Sequence, residues 1–219
     1  MSTERVMAVN QRVFLERFVA ACQADPHVLA AFIGGSHAKG TADAGSDLDL
    51  TIIVDGAAFE DFYAARATFL GKLGELAFLE DFHRPNLAFT IYADGTEVEL
   101  WFFSPGNLDQ IQCGPYRALI DKQALLEGVL FPEQRPDQAE QRATLQFLLN
   151  CFWHDMSHFI TAMARGQLWW ASGQLAELRS ICMNLARLYY GDNSDTDGHE
   201  KVEKALPAEF LTQLTPCWQ

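Results

Sequence analysis

The segment at residues 34–50, GGSHAKGTADAGSDLDL, constrains this chain more than any other. It opens on two glycines directly after the apolar run VLAAFI and closes on Ser46-Asp47-Leu48-Asp49-Leu50, which leads into a second apolar run ending at Val54. A short apolar run that stops at Gly-Gly predicts a buried strand feeding a tight turn. The polar stretch that follows reads as a short helix carrying Lys39. In Asp47-Leu48-Asp49 the side chains alternate, so on a strand both carboxylates share one face while Leu48 turns to the core.

The periodicity of Val6, Val9, Val13, Phe14, Phe18 and Ala21 predicts an amphipathic helix over residues 3–24, stopped by Asp25-Pro26. Past the second strand, over 47–54, residues 57–73 have helical spacing. Two apolar runs, 89–92 and 97–103, flank Ala93-Asp94-Gly95, and Asp-Gly in that place predicts a hairpin. Residues 117–120 carry a weaker strand signal. FPEQRPD at 131–137 holds two prolines and mixed charge and marks a boundary. Beyond it the pattern is helical only: residues 139–166, residues 168–190, a polar loop over 191–199 and a shorter helix over 200–213. The expected fold class is α+β, with an α/β domain over residues 1–131 followed by a helical bundle over residues 137–219.

Composition limits the partners. Sixteen Lys and Arg stand against 29 Asp and Glu, a formal charge of −13. A surface that negative repels a phosphate backbone and lacks the basic stripe of a nucleic-acid binder, so no nucleic-acid partner is expected. It attracts cationic small molecules, or it serves solubility alone. The five cysteines are dispersed, which suits reduced thiols. No run reaches the roughly 18 apolar residues that span a bilayer, so no membrane partner is expected. The N-terminal residues lack a signal peptide's apolar centre, which makes the cytoplasm the default compartment.

Glu97 and Glu99 alternate on the second arm of the hairpin, as Asp47 and Asp49 do on their strand. If those strands pair, three carboxylates converge. Such a patch repels itself unless a cation neutralises it. The natural occupant is Mg²⁺, which takes a few carboxylates together with substrate phosphates. Two such ions clamp the attacking and leaving oxygens of an in-line phosphoryl displacement. Gly34-Gly35-Ser36 lies where a strand meets a helix start, and there backbone N–H groups and a short hydroxyl can approach a triphosphate.

Residues Gly35-Ser36 through Asp47-Leu48-Asp49-Leu50 resemble the signature of the DNA polymerase β-like nucleotidyltransferase superfamily. The resemblance implies a small mixed sheet and transfer of a nucleoside monophosphate from an NTP, with divalent metal, to an acceptor hydroxyl. By resemblance Gly35 and Ser36 hold phosphate, and Asp47 and Asp49 ligate metal. Glu99, between Val98 and Leu100, is the third metal ligand or general base, with Glu97 the competing candidate. Lys39 is a phosphate contact or a solvated lysine. The second half, from Phe152-Trp153 through Arg165-Gly166-Gln167-Leu168 and Leu178-Arg179 to Tyr189-Tyr190, looks like the helical domain of lincosamide and aminoglycoside nucleotidyltransferases. That likeness implies a domain that closes over nucleotide and drug, with Arg179 as a helix-borne triphosphate contact or, alternatively, a surface arginine. The implied reaction passes AMP from ATP to a small, cationic hydroxyl acceptor of the antibiotic kind, and so implies antibiotic resistance. The alternative is a protein-modifying (AMPylating) or antitoxin-type relative. Those relatives continue about a helix beyond Gln219, so the acceptor site is expected to be incomplete here or completed by a partner subunit in a homodimer.

Two further features are assigned to packing or solvent. His154 and His158 stand four apart, the spacing of two zinc ligands on one helix face, but no third ligand is evident. Trp153, Trp169 and Trp170 read as core aromatics in preference to an acceptor wall.

Overall fold

The computed structural model describes residues 7–133, 136–192, 198–199 and 201–214. The chain divides into two compact units, Met1–Gln134 and Arg135–Gln219. Together they form an α+β architecture, with the sheet in the first unit and a helical second unit. Among the described residues no helix is long and apolar enough to cross a membrane.

The first unit opens with α1 (Val9–Ala24), whose Phe14, Phe18 and Cys22 are buried. Residues 3–6 of the expected helix lie outside the described residues, and Met7 and Ala8 are not helical. The Gln11 side-chain oxygen Oε1 accepts the Ala8 N–H at 3.0 Å and caps the start of the helix there. At the other end Lys122 donates to the Cys22 and Asp25 carbonyls at 2.9 and 2.7 Å, satisfying acceptors that a helix C-terminus leaves open. Then come β1 (Val28–Ile33), α2 (Gly35–Lys39) and β2 (Leu48–Val54).

The helix expected over residues 57–73 is two short ones, α3 (Phe59–Ala64) and α4 (Arg66–Gly71). Ala65 breaks them with ψ near 8°, and Arg66 folds back to donate to the Tyr63 carbonyl at 3.1 Å and to lie over the Tyr63 ring. That local contact competes with a continuous helix. A strand absent from the sequence reading follows, β3 (Leu76–Glu80), which is exposed along most of its length and so shows no burial alternation. The hairpin is present as β4 (Leu87–Tyr92) and β5 (Glu97–Phe103), and β6 (Arg117–Asp121) follows a 3₁₀ turn over Pro105–Gln110.

The six strands form one sheet in the order β3-β4-β5-β2-β1-β6. Every neighbouring pair is antiparallel except β2 with β5, which run parallel. Alternation sorts the side chains. Leu48, Leu50, Ile52, Val98, Leu100 and Phe102 are wholly buried and form one core with residues of α1 and α4. On the other face Ile53 and Phe103 join Ala30, Phe32, Ile111, Leu126 and Phe131 in a second cluster. Each such apolar side chain withdrawn from water stabilises the fold by about 1.5–3 kcal/mol. That leaves the leading ends of β2 and β5, on this second face, to polar residues.

The second unit is helical: α5 (Gln138–Ala164), α6 (Leu168–Tyr190), α7 (Val202–Ala205) and α8 (Ala208–Leu214). Asp137 starts α5 in a capping box, accepting the Ala139 and Glu140 N–H groups at 2.7 and 2.8 Å while Glu140 accepts the Asp137 N–H. Gly191 ends α6 in the left-handed region. The single helix expected over 200–213 is two, because Pro207 has no N–H to continue a helix across that point. Met183, Ala186 and Leu206 form its small core. Arg187 is buried as well, paired with Asp192 and donating to the Gly198 carbonyl at 3.2 Å.

Candidate active site

The parallel pairing of β2 with β5 sets Asp49 directly beside Glu99. Register partners on neighbouring strands lie about 4.8 Å apart and point to the same face. Asp47 immediately precedes β2, outside the strand and two residues before Asp49, and its charge acts on His37. Asp47, Asp49 and Glu99 are all half-buried, whereas Glu97, two residues back along β5, is exposed.

Gly34 and Gly35 make this arrangement fit. The Gly34 N–H donates to the Asp49 carbonyl at 2.8 Å, pinning the turn to β2. Gly35 sits at a φ of +51°, in the left-handed region. A Cβ on it would lie 1.7 Å from Asp49 Oδ2, so the Asp49 carboxylate occupies the space a side chain would need. The space the missing Cβ leaves is thus taken by the carboxylate.

Ser36 follows on α2. Its Oγ is buried and has no hydrogen-bond partner, and an unpaired buried hydroxyl costs free energy unless something else meets it. His37, 2% exposed, sits behind it. Burial holds the imidazole below the usual histidine range, and Arg117 pushes the same way, against the opposing pull of the Asp47 charge and backbone. Neither ring nitrogen makes a well-formed hydrogen bond. Lys39 is directed to Glu133, with Nζ 2.5 Å from Oε1, so its ammonium is committed to an ion pair in this arrangement.

Four residues around the patch escaped the sequence reading. Gln11, buried on α1, donates to the Ser46 carbonyl and ties down the residue before Asp47. Cys113 lies against Gly34. Burial, with Asp49 adding, pushes its thiol up to about 11, so it stays neutral beside the carboxylates. Arg117 reaches the area because β6 pairs with β1, opposite Ile33, and nothing in the short polar helix sets His37 apart by sequence. These contacts span tens of residues, and no local pattern announces them.

The donor set suits a hard divalent cation: carboxylate oxygens on one face, a buried hydroxyl without a partner, and a protonated thiol that offers no anionic sulfur. Two concavities lie elsewhere on this unit. One of about 500 Å³ is lined by His27, Asp55 and Phe62, at the far end of β2, and one of about 280 Å³ by Phe14, Arg17 and Tyr92. Neither includes the carboxylates.

In the second unit Arg179 lies half-buried on α6. The tryptophans overturn their core assignment. Trp153 is 69% and Trp169 95% exposed, because a pair of helices covers only one stripe of each. His154 and His158 do gain a third potential ligand, Asp155.

A family model described as streptomycin adenylyltransferase matches residues 9–213 of this chain. Among solved structures the chain is similar to an aminoglycoside 6-adenyltransferase from Bacillus subtilis, at 12% identity over 95% of this chain and 79% of that one, with a TM-score of 0.39. It is also similar to a cytoplasmic RNA terminal U-transferase, at 16% identity over 46% of this chain and 33% of that one, with a TM-score of 0.32. A comparison with curated proteins returns no match.

Proposed function

We propose that this chain, which belongs to the streptomycin adenylyltransferase family, passes AMP from ATP to a hydroxyl of a small cationic acceptor of the aminoglycoside kind, with Mg²⁺ held by Asp47, Asp49 and Glu99. The family match makes it a nucleotidyltransferase enzyme. The observation that carries the assignment of residues is the side-by-side register of Asp49 and Glu99 next to the bare Cα of Gly35.

Bound at these carboxylates, divalent ions would neutralise charge on the triphosphate and on the attacking and leaving oxygens. The protein's own contributions are positioning and proton transfer. Ser36 donates its unpaired hydroxyl to a phosphate oxygen, which resolves the unmet buried group. Gly35 gives Asp49 its place, and Gln11 holds the loop that carries Asp47. Glu99 completes the ligand set or accepts the proton of the acceptor hydroxyl. Its half-buried position beside Asp49 favours it over the exposed Glu97. Lys39 reaches phosphate only by leaving Glu133. Residues 1–131 supply this chemistry in the proposal, and residues 137–219 supply the closing helical domain with Arg179 as a triphosphate contact. The excess of acidic residues, a net charge of −13, favours a cationic acceptor over nucleic acid.

The test is a thin-layer assay of α-labelled ATP with Mg²⁺ against a panel of aminoglycosides, streptomycin included, and lincosamides. The Asp47→Ala/Asp49→Ala double variant serves as control. Labelled drug formed by the wild type and lost in the variant supports the proposal. Equal turnover by both sinks the site, and label appearing on protein with no labelled drug replaces the acceptor class.

A further inference from the structure

The second unit holds a cluster that the nucleotidyl-transfer reading does not use. On α5, His154, Asp155 and His158 bring three ligand atoms within 4.8 Å of one another. Spacing of four puts the two imidazoles on one helix face, and their ring centroids are 4.2 Å apart. Asp155 turns to the same place, with Oδ1 2.8 Å from His154 Nδ1. Trp170, on α6, stands behind His158 with ring centroids 5.5 Å apart.

We infer that His154, Asp155 and His158 form a second metal site, for a first-row divalent transition ion of the Ni²⁺ or Zn²⁺ kind. The argument is chemical and geometric. Imidazole nitrogen suits these ions, whereas the carboxylate face of the sheet suits Mg²⁺. Two donors on an ion with bonds of about 2.0–2.1 Å are separated by about 2.9 Å at right angles, as on six-coordinate Ni²⁺, and by about 3.3 Å at the tetrahedral angle of Zn²⁺. The His154–Asp155 separation of 2.8 Å, a hydrogen bond without the ion, is close to the first of these and needs only a small opening for the second. His158 completes the set by side-chain rotation alone, since helix spacing has brought its ring alongside. His154 is 64% exposed at its side chain, so water or a small donor can fill the remaining positions, while Asp155, at 19%, is the shielded member. The excess of acidic residues raises the local cation concentration. The step is ligand exchange: coordinate bonds from His154, Asp155 and His158 replace aqua ligands of the ion, and the proton shared between His154 Nδ1 and Asp155 passes to the other ring nitrogen or to solvent.

The experiment is calorimetric titration of Ni²⁺ into the untagged full chain, with Mg²⁺ in excess to hold the carboxylate patch. The wild type takes up one equivalent that the His154→Gln/His158→Gln variant loses. Asp155→Asn, which keeps both imidazoles but loses the anionic donor, binds more weakly by at least the roughly 10-fold that loss of even an outer-shell partner costs. Circular dichroism checks that both variants keep their helices, and Asp155→Asn stands as the reporter if the double variant does not fold. Uptake with unchanged stoichiometry and affinity in the folded variants overturns the site. So does a wild type that binds no Ni²⁺ at millimolar concentration.

Discussion

Gly34 and Gly35 are neighbours of the same type, yet alanine should have opposite consequences at the two positions. At Gly35 the new Cβ would stand 1.7 Å from Asp49 Oδ2 and 2.5 Å from its Cγ, where real contacts do not fall below 3.0 Å. The carboxylate or α2 must therefore retreat by about 1.3 Å. A misplacement of about 1 Å in a reacting constellation lowers the rate on the order of 100-fold, or about 2.7 kcal/mol of barrier. The left-handed φ of +51° adds about 1–2 kcal/mol of backbone strain for a residue with a side chain. At about 2–4 °C per kcal/mol for a chain of this size, melting should fall by about 2–8 °C. At Gly34, by contrast, φ is −107° and the nearest atom to a new Cβ is Cys113 Cβ at 3.7 Å, an ordinary contact. Gly34→Ala should leave stability within about 0.5 kcal/mol and the rate near that of the wild type. Steady-state AMP transfer and thermal melts on both variants check this. Gly35→Ala with a wild-type kcat, or equal losses in the two variants, would refute the placement of Asp49 against Gly35.

Glu99→Gln should lower kcat by about 10²- to 10⁴-fold, the range for loss of a general base, while Glu97→Gln, at an exposed position, changes it by only a few-fold; a reversed order would exchange the two roles. Thiol reactivity should follow burial. With Cys22 pushed up to about 12 and Cys113 to about 11 by burial, maleimide at neutral pH should mark the exposed Cys182 long before either, as read by peptide mass mapping. Asp137→Ala removes the side-chain acceptor for two N–H groups at the start of α5 and should cost about 1 kcal/mol, visible as a lower urea midpoint at unchanged slope. His37 sets a pH dependence. Its imidazole resists protonation when folded and not when unfolded, so the unfolded state binds more protons and stability falls as pH drops below about 6.5. Urea midpoints at pH 7.5 and 5.5 should differ less in His37→Gln than in the wild type, and an identical pH response would rule out His37 as the source.

Much of the site was legible locally. Alternation in Asp47-Leu48-Asp49 and in Glu97-Val98-Glu99 follows from the two-residue strand period, and Asp-Gly marks the hairpin because it tolerates the turn's backbone angles. The edge strand Leu76–Glu80 was illegible because an exposed strand has no burial pattern to show. The break at Ala65 depends on Arg66 folding back over Tyr63, a choice helical periodicity does not encode. Trp169 reads as a core residue by type and is exposed because helix pairing leaves its stripe uncovered.

The segment GGSHAKGTADAGSDLDL, with the apolar run before it, by itself determined a buried strand, a glycine turn and a second strand opening directly after Asp47, since local periodicity and turn chemistry need no distant partner. Only the tertiary structure decided that β5 lies parallel to β2 in the register that sets Glu99 beside Asp49. It alone decided that Gly35 is bare to seat that carboxylate, that Gln11 steadies the approach to Asp47, and that Lys39 is paired with Glu133. Strand register and long-range contacts are set by how whole faces pack, a free energy summed over many residues, and no short window of sequence contains that sum.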